Sequence, residues 1–178
     1  MSKESLLPLL MAHVLAEGLG QASLRPLAKA AGTSDRMLIY HFGTKEGLLT
    51  DLLAHIAEVY AVMLDAAIAG SAPPATRDEL LARILAQNGD PAMQPFMLLW
   101  WEIVAGSARD LPGFRAAAEA MVTKLLGWLE AQMPATDPDP AGGARFLLTA
   151  IEGAMMLAAV GHADTARQGL LAGGLLQA

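Results

Sequence analysis

One short segment near the N-terminus, residues 34–41, concentrates side chains that could do chemistry. A helix through it would bury Leu38 and Phe42, with Met37 a possible third, and would turn its other residues outward or edgewise. The polar members of that set are Ser34, Asp35, Arg36, Tyr40 and His41. Guanidinium, hydroxyl and imidazole groups on one side of a helix suit hydrogen bonding to base edges and phosphates. The pattern indicates nucleic-acid recognition.

The flanking residues predict the elements that would hold this helix in place. Ser23 is predicted to cap a preceding helix, which Gly32 ends in a tight turn. Either Thr33 or Ser34 can cap the polar-faced helix, and Thr44 caps a long helix that follows it. A scaffold helix over residues 5–17 completes three short helices on one small core. This order is typical of a helix-turn-helix DNA-binding module.

Three separated motifs resemble the DNA-binding domain of TetR-family transcriptional regulators. They are Leu27–Ser34 (LAKAAGTS), Leu38–Phe42 (LIYHF) and Thr44–Leu49 (TKEGLL), in matching order and spacing over about the first fifty residues. The rest of the chain is similar to the family only in length and helical character. The resemblance implies an all-α fold, a homodimer and repression that a ligand releases.

Carried over position by position, the resemblance implies a set of DNA contacts. The implied residues are Ser23, Arg25, Ser34, Asp35, Arg36, Tyr40, His41 and Lys45. Lys45 would meet a phosphate at the N-terminus of the fourth helix, where backbone amides also favour an anion. Ile39 stands where the family most often has a tyrosine that touches the DNA backbone, and we expect Tyr40 to replace part of that contact. Asp35 is expected to accept from a cytosine amino group or to cap the helix.

Charge and hydropathy are unevenly distributed. The chain of 178 residues has a net charge of −6, and 54% of its residues are hydrophobic. Residues 1–50 carry five basic and four acidic groups, so nearly all of the negative charge lies in the remainder. An acidic body is compatible with DNA binding because affinity for phosphate depends on the local field. The mean hydropathy of +0.39 indicates apolar surface that a dimer covers or a pocket uses.

Several classes of function are disfavoured. The apolar runs Pro95–Trp101 and Phe146–Ile151 end at acidic residues, short of the ~20 residues of a membrane span. With no basic-plus-apolar leader at the start, we expect no membrane partner and a cytoplasmic location. The absence of cysteine excludes disulfides and thiolate metal sites, and the four histidines are scattered. No phosphate-cradling glycine loop occurs. We predict no metal, no cofactor and no enzymatic activity.

The remainder is predicted to be helical throughout, giving about nine helices in the whole chain. The expected bounds are 45 to about 69, 77–87, 92 to about 108, 113–133, 141–160 and 164 to near the C-terminus. Residues 134–140 (PATDPDP) are the segment for which a flexible loop is most strongly predicted. We divide the chain into a helix-turn-helix domain, 1–47, and a regulatory and dimerisation domain, 48–178.

Two surfaces of the regulatory domain are predicted. A soft-walled pocket for a small, apolar ligand would use Met97, Trp100, Trp101, Glu102, Met121 and Met155. Ordinary core packing with Glu102 on the surface is the alternative for these residues. In TetR-like proteins the last two helices pair with their symmetry mates, which implies an interface of Leu147, Ile151, Ala154, Leu157, Gly169, Leu170 and Gly173. Packing within one subunit is the alternative there.

These observations favour a ligand-responsive transcriptional regulator, most simply a repressor, that binds a pseudo-palindromic double-stranded operator as a dimer. The alternative is a helical module for small-molecule binding or protein interaction whose DNA-binding surface is lost or weak.

Overall fold

The computed structural model describes residues 2–68 and 72–176, and within them the chain is all-α with nine α-helices. Their bounds are α1 Lys3–Glu17, α2 Leu24–Ala30, α3 Asp35–Phe42, α4 Lys45–Ile68, α5 Arg77–Asn88, α6 Gln94–Ala108, α7 Phe114–Ala131, α8 Pro140–Ala159 and α9 Ala163–Ala172. Two short 3₁₀ turns, Leu19–Gln21 and Pro91–Met93, precede α2 and α6. The predicted fold class is confirmed.

One predicted helix end lies outside the described residues, and another differs from the structure. α4 was expected to reach Ala69 and a loop to begin at Gly70, but residues 69–71 lie outside the described part of the chain. α9 ends at Ala172, earlier than expected, because Gly173 is its C-cap and Gly174 turns the backbone to a φ of +70°.

The chain forms two compact units. The first unit comprises residues 1–62 and 91–122, which include α1–α3, most of α4, and α6. Its core is built from one apolar side of each helix, with fully buried leucines and isoleucines at Leu6, Leu10, Leu27, Leu38, Leu52, Leu53, Ile56 and Ile103. In this unit α1 packs against α2 and α6, and α2 packs against α3. The predicted boundary at residue 47 separates two functions and does not describe the two compact units. It stays a prediction.

The second unit comprises residues 63–90 and 123–178. Its core gathers buried side chains from α5, the end of α7, α8 and α9, namely Leu80, Leu81, Ile84, Leu129, Met133, Leu147, Ile151, Ala154 and Leu170. α8 packs against both α5 and α9. The apolar sequence of α8 therefore serves a core on one side of the helix.

The sequence predicts a flexible loop over residues 134–140, and the structure shows that Arg77 of α5 is hydrogen-bonded to this loop. The Arg77 guanidinium donates two hydrogen bonds of 2.6 Å to the Asp137 carboxylate and a third to the carbonyl of Asp139. The hydrogen bonds that the Asp137 carboxylate accepts, from Arg77 above all and from the Asp139 N–H, lower its pKa from 3.8 to about 2. Asp139 accepts from the Gly142 N–H and so caps α8. These hydrogen bonds fasten the loop that joins α7 to α8 onto α5 and onto the first turn of α8.

Two helices are long and apolar enough, by length and composition, to cross a membrane: Lys45–Ala66 within α4, and α8. The interrupted apolar runs of the sequence had argued against any such segment. Both helices also supply the buried leucines and isoleucines of the two cores, and a core helix of a water-soluble protein passes the same test.

Candidate nucleic-acid interface

The turn between α2 and α3 is tight and is held by backbone hydrogen bonds. Gly32 adopts a φ of +62°, where a side chain would be strained, and the Thr33 N–H donates to the Ala28 carbonyl at 2.9 Å. Of the two predicted caps of α3, the structure selects Ser34, whose hydroxyl accepts from the Met37 N–H at 3.3 Å. Ser23 stands at the N-cap position of α2 but makes no capping hydrogen bond through its side chain. Its exposed hydroxyl therefore stays available to an outside partner.

α3 buries one side and presents the other. Leu38 and Phe42 are buried, as the sequence predicts, and Met37 is instead 39% exposed. Arg36 is exposed, and Tyr40, one helical turn later, is 77% exposed. Residues four apart on a helix lie on the same side, so these two side chains project together from the outer face of α3. The arrangement offers a guanidinium and a phenol to whatever docks there.

His41 lies at the edge of this surface rather than on it. Its ring packs edge-on against Tyr40, with 5.2 Å between the ring centroids. Its Nε2 atom is buried without a hydrogen-bond partner, so that atom does not face solvent. The DNA contact of His41 stays a prediction, and it would use an atom other than Nε2. The histidine ring also supports the tyrosine ring beside it.

The start of α4 lies beside the same module. Thr44 caps this helix as predicted, since its hydroxyl accepts from the Gly47 N–H at 3.0 Å. Lys45 is exposed in the first turn, where the helix dipole and free amides favour an anion. Arg25 near the start of α2 is also exposed. Three cationic side chains, including Arg36, are thereby available to phosphates.

Lys3, by contrast, has a structural role. Its ammonium pairs with Asp51 of α4 at 2.5 Å and lies 5.4 Å from the centroid of the Phe42 ring. It fastens the first turn of α1 to α3 and α4. Lys3 therefore differs from Arg25, Arg36 and Lys45, because its charge is paired within the protein. We call α1–α3 together the DNA-reading module.

The predicted pocket residues are all half-buried, but they do not all fall in one compact unit. Met97, Trp100, Trp101 and Met121 lie in the first unit on α6 and α7. Met155 lies in the second unit, where its sulfur accepts from the Asn88 side-chain amide at 3.2 Å. A shared pocket for these residues stays a prediction.

Glu102 has a partner that sequence reasoning missed. Its carboxylate accepts a hydrogen bond of 2.7 Å from the backbone N–H of Leu19, at the turn that joins α1 to α2. The two residues are 83 positions apart, so no local pattern could reveal the contact. The signal that existed was chemical: an acidic residue directly after a run of apolar residues on α6 needs a donor if it is half-buried.

Four of the residues predicted for the dimer face are buried within the protomer, and the face itself stays a prediction. Leu147, Ile151 and Ala154 are buried in the core of the second unit, and so is Leu170 of α9. Of the remaining predicted residues, Leu157 is half-buried, and Gly169 and Gly173 are exposed. Side chains already buried within one protomer do not present themselves to a second copy.

The opposite side of α8 is apolar and exposed. Phe146, Met156 and Val160 are 47%, 51% and 66% exposed, and a side chain at Gly153 would meet open space. Large exposed apolar residues on one side of a helix are typical of an interaction surface.

Within the described residues, no three histidine, aspartate or glutamate side chains come together as a metal site would require.

Comparisons with known proteins agree with this geometry. Residues 12–52 match the family model of bacterial regulatory proteins of the tetR family. None of the curated proteins matches the chain. Several solved structures share its fold. The multidrug binding protein EbrR, complexed with proflavin, is 22% identical with a TM-score of 0.70, and the match covers 95% of this chain and 97% of that one.

Two further structures match at similar level. A transcriptional regulator from Rhodococcus sp. Rha1 is 21% identical, with a TM-score of 0.67 and coverage of 96% and 92% of the two chains. A TetR transcriptional regulator from Legionella pneumophila is 19% identical, with a TM-score of 0.60 and coverage of 96% and 93%. The predicted resemblance is confirmed: the N-terminal segment matches the tetR family by sequence, and the whole chain has a TetR-like all-α fold.

Proposed function

We propose that this chain, whose N-terminal segment matches the tetR family, is a dimeric repressor that binds a pseudo-palindromic operator and releases it when a small ligand binds. The observation that carries the proposal is the outer face of α3, where Arg36 and Tyr40 project from a helix held by a capped turn and a buried core. Such a helix fits the major groove. The protein would act in the cytoplasm, where bacterial DNA is accessible.

The side chains divide into two roles at the DNA. Arg36 is suited to read guanine through its O6 and N7 acceptors, with Tyr40 beside it on the outer face of α3. Arg25 and Lys45, at the starts of two helices, are suited to phosphates, together with the free hydroxyl of Ser23. The phosphate contacts set the position of the module, and the base contacts select the sequence.

A second copy of the chain is the partner that the exposed side of α8 fits. Phe146, Met156 and Val160 give this side apolar bulk, and Gly153 between them allows close approach of another helix. Two DNA-reading modules would then meet successive major grooves, ~34–36 Å apart. Light scattering on the purified protein should give the mass of a dimer.

Ligand response is supported by the character of α6 and by the fold. Trp100, Trp101 and Met97 form a half-buried group of large, polarisable side chains on α6. EbrR, which shares the fold, was crystallised with proflavin. We propose that a small, largely apolar molecule binds at α6 and prefers the conformation that does not fit DNA, which shifts the population away from the bound state.

The test begins with selection of duplexes from a random-sequence pool by the wild-type protein. Arg36→Ala should lower affinity for the selected duplex by roughly tenfold to a hundredfold and relax the preference at one base pair, since a good base contact is worth about 1–3 kcal/mol. Arg109→Ala is the matched control, because this exposed arginine lies outside α1–α4. Selection of no duplex by an intact wild-type dimer would favour the alternative, a module without a working DNA surface.

A further inference from the structure

The turn between α1 and α2 is fastened to a distant helix by one carboxylate. Glu102, on α6, accepts from the Leu19 N–H with an N–O distance of 2.7 Å. Leu19 is the first residue of a 3₁₀ turn, so its N–H has no partner within that turn. A bond between a charged acceptor and a backbone donor is stronger than a neutral one. The contact is therefore more than incidental proximity.

Gly18 gives this contact its room. A Cβ atom at Gly18 would lie 2.6 Å from Oε1 of Glu102, so the carboxylate would have to move from its present position. The residue also has a φ of +80°, which disfavours every residue with a side chain. A glycine at position 18 therefore leaves room for the Glu102 carboxylate and also permits the backbone conformation of the turn.

The position of the contact matters for the DNA-reading module. Leu19 lies between the end of α1 and Ser23, which begins α2, so the turn sets the direction in which α2 and α3 leave α1. α6 packs beside α1, and Glu102 follows directly after Trp100 and Trp101. A hydrogen bond of this length is lost when the atoms separate beyond ~3.5 Å. A movement of α6 that separates these two atoms by about 1 Å more is enough to break it.

We infer that Glu102 is a positioning residue, which fastens the turn at Gly18 and Leu19 to α6 and holds the DNA-reading module in the orientation that binds DNA. The inference rests on the proposed function. A molecule that displaces α6 would therefore act on α2 and α3 by withdrawing the Glu102 carboxylate from the turn. In this mechanism Glu102 acts through the turn and does not itself touch DNA.

The test compares three variants on the duplex that the wild-type protein has selected. Glu102→Ala should weaken binding about tenfold, which corresponds to about 1.4 kcal/mol of lost positioning. Glu102→Gln keeps an oxygen acceptor without the charge and should restore part of the affinity. Asp139→Ala is the matched control, because Asp139 also accepts from a backbone N–H, that of Gly142 at 2.9 Å, but does so in the second unit.

The control separates positioning from simple stabilisation. Glu102→Ala and Asp139→Ala each remove one hydrogen bond from a carboxylate to a backbone N–H, so each should lower the urea midpoint of unfolding by a similar amount. Only the loss at Glu102 should change DNA affinity, since all affinities are measured where the protein is folded. Equal DNA affinity for Glu102→Ala and wild type would overturn the inference.

A double substitution tests whether the two sides of the contact act together. Gly18→Ala pushes a Cβ against Oε1 and should also weaken DNA binding. In the Glu102→Ala background that clash is gone, so Gly18→Ala should cost less there than alone. Additive effects would count against the inference. If the wild-type protein selects no duplex at all, both the proposed function and this inference fail. If the wild type binds a duplex and the Glu102 variants bind it equally well, only this inference fails.

Discussion

Lys45→Ala is expected to reduce the salt dependence of DNA binding on every duplex. Lys45 is exposed in the first turn of α4, and a dimer presents one copy from each protomer. Each phosphate that a cation neutralises on B-DNA adds about 0.9 to the slope of log affinity against log salt concentration. Losing two such contacts should therefore lower the magnitude of that slope by about 1.8.

This slope change translates into a measurable ratio of affinities. Between ~50 mM and ~200 mM salt, the ratio of wild-type to variant affinity should shrink about tenfold, because wild-type binding falls more steeply. Fluorescence anisotropy with a labelled duplex measures both proteins across the series. The same reduction should appear on a scrambled duplex of equal composition, since a phosphate contact carries no sequence information.

Arg109→Ala provides the charge-matched control for Lys45→Ala. It removes one positive charge per protomer from an exposed position outside α1–α4, so its slope should equal that of the wild type. An unchanged slope for Lys45→Ala would refute the assignment of Lys45 to a phosphate. A loss confined to the selected duplex would also refute it, because Lys45 would then be reading bases.

Three further predictions concern the cores and the surface of α8. Phe146→Arg should shift the light-scattering mass from dimer towards monomer, because it places a charge on the exposed apolar side of α8, whereas Arg145→Ala should leave the mass unchanged. Leu38→Ala should lower the free energy of unfolding by about 3 kcal/mol in urea titration, since Leu38 is fully buried in the DNA-reading module; a loss below about 1 kcal/mol would contradict that packing. Wild-type stability should fall as the pH drops from 3.8 to about 2, because the folded protein holds Asp137 ionised by hydrogen bonds from Arg77 and the unfolded chain does not. Asp137→Asn should remove that part of the acid dependence, and an identical pH profile would disprove the role of the pair.

The helix-turn-helix segment could be predicted from sequence because its signals are local. Capping residues, a glycine at the turn and buried positions at helical spacing all occur within three residues or one helical turn of the feature they specify. Ser34, Gly32 and Thr44 stand where the structure uses them. The burial of Leu38 and Phe42 then determines which side of α3 faces outward.

The surfaces of α8 could not be assigned in the same way. α8 carries apolar residues on all sides, and periodicity alone does not tell a side packed within the protomer from a side that meets a partner. Leu147 and Phe146 are neighbours in sequence and similar in hydropathy, yet one is buried and the other half exposed. Only the packing of α5 and α9 against α8 distinguishes them.

Contacts between residues far apart in the chain could not be predicted from the sequence, for a different reason. Glu102 and Leu19, like Arg77 and Asp137, come together because helices far apart in the chain pack side by side. A single sequence records neither pairing. Composition could say that a half-buried acid needs a donor, but not which donor it finds.

The exposure of Tyr40 gives the protein a built-in chemical footprint. The chain has two tyrosines, and the other, Tyr60, is half-buried with its ring 5.8 Å from that of Phe96. A reagent that modifies phenols on contact, such as tetranitromethane, should therefore react first at Tyr40. Its rate of nitration would report whether the α3 surface at Tyr40 is covered, without a fluorophore, a tag or a substitution, and bound DNA should slow it.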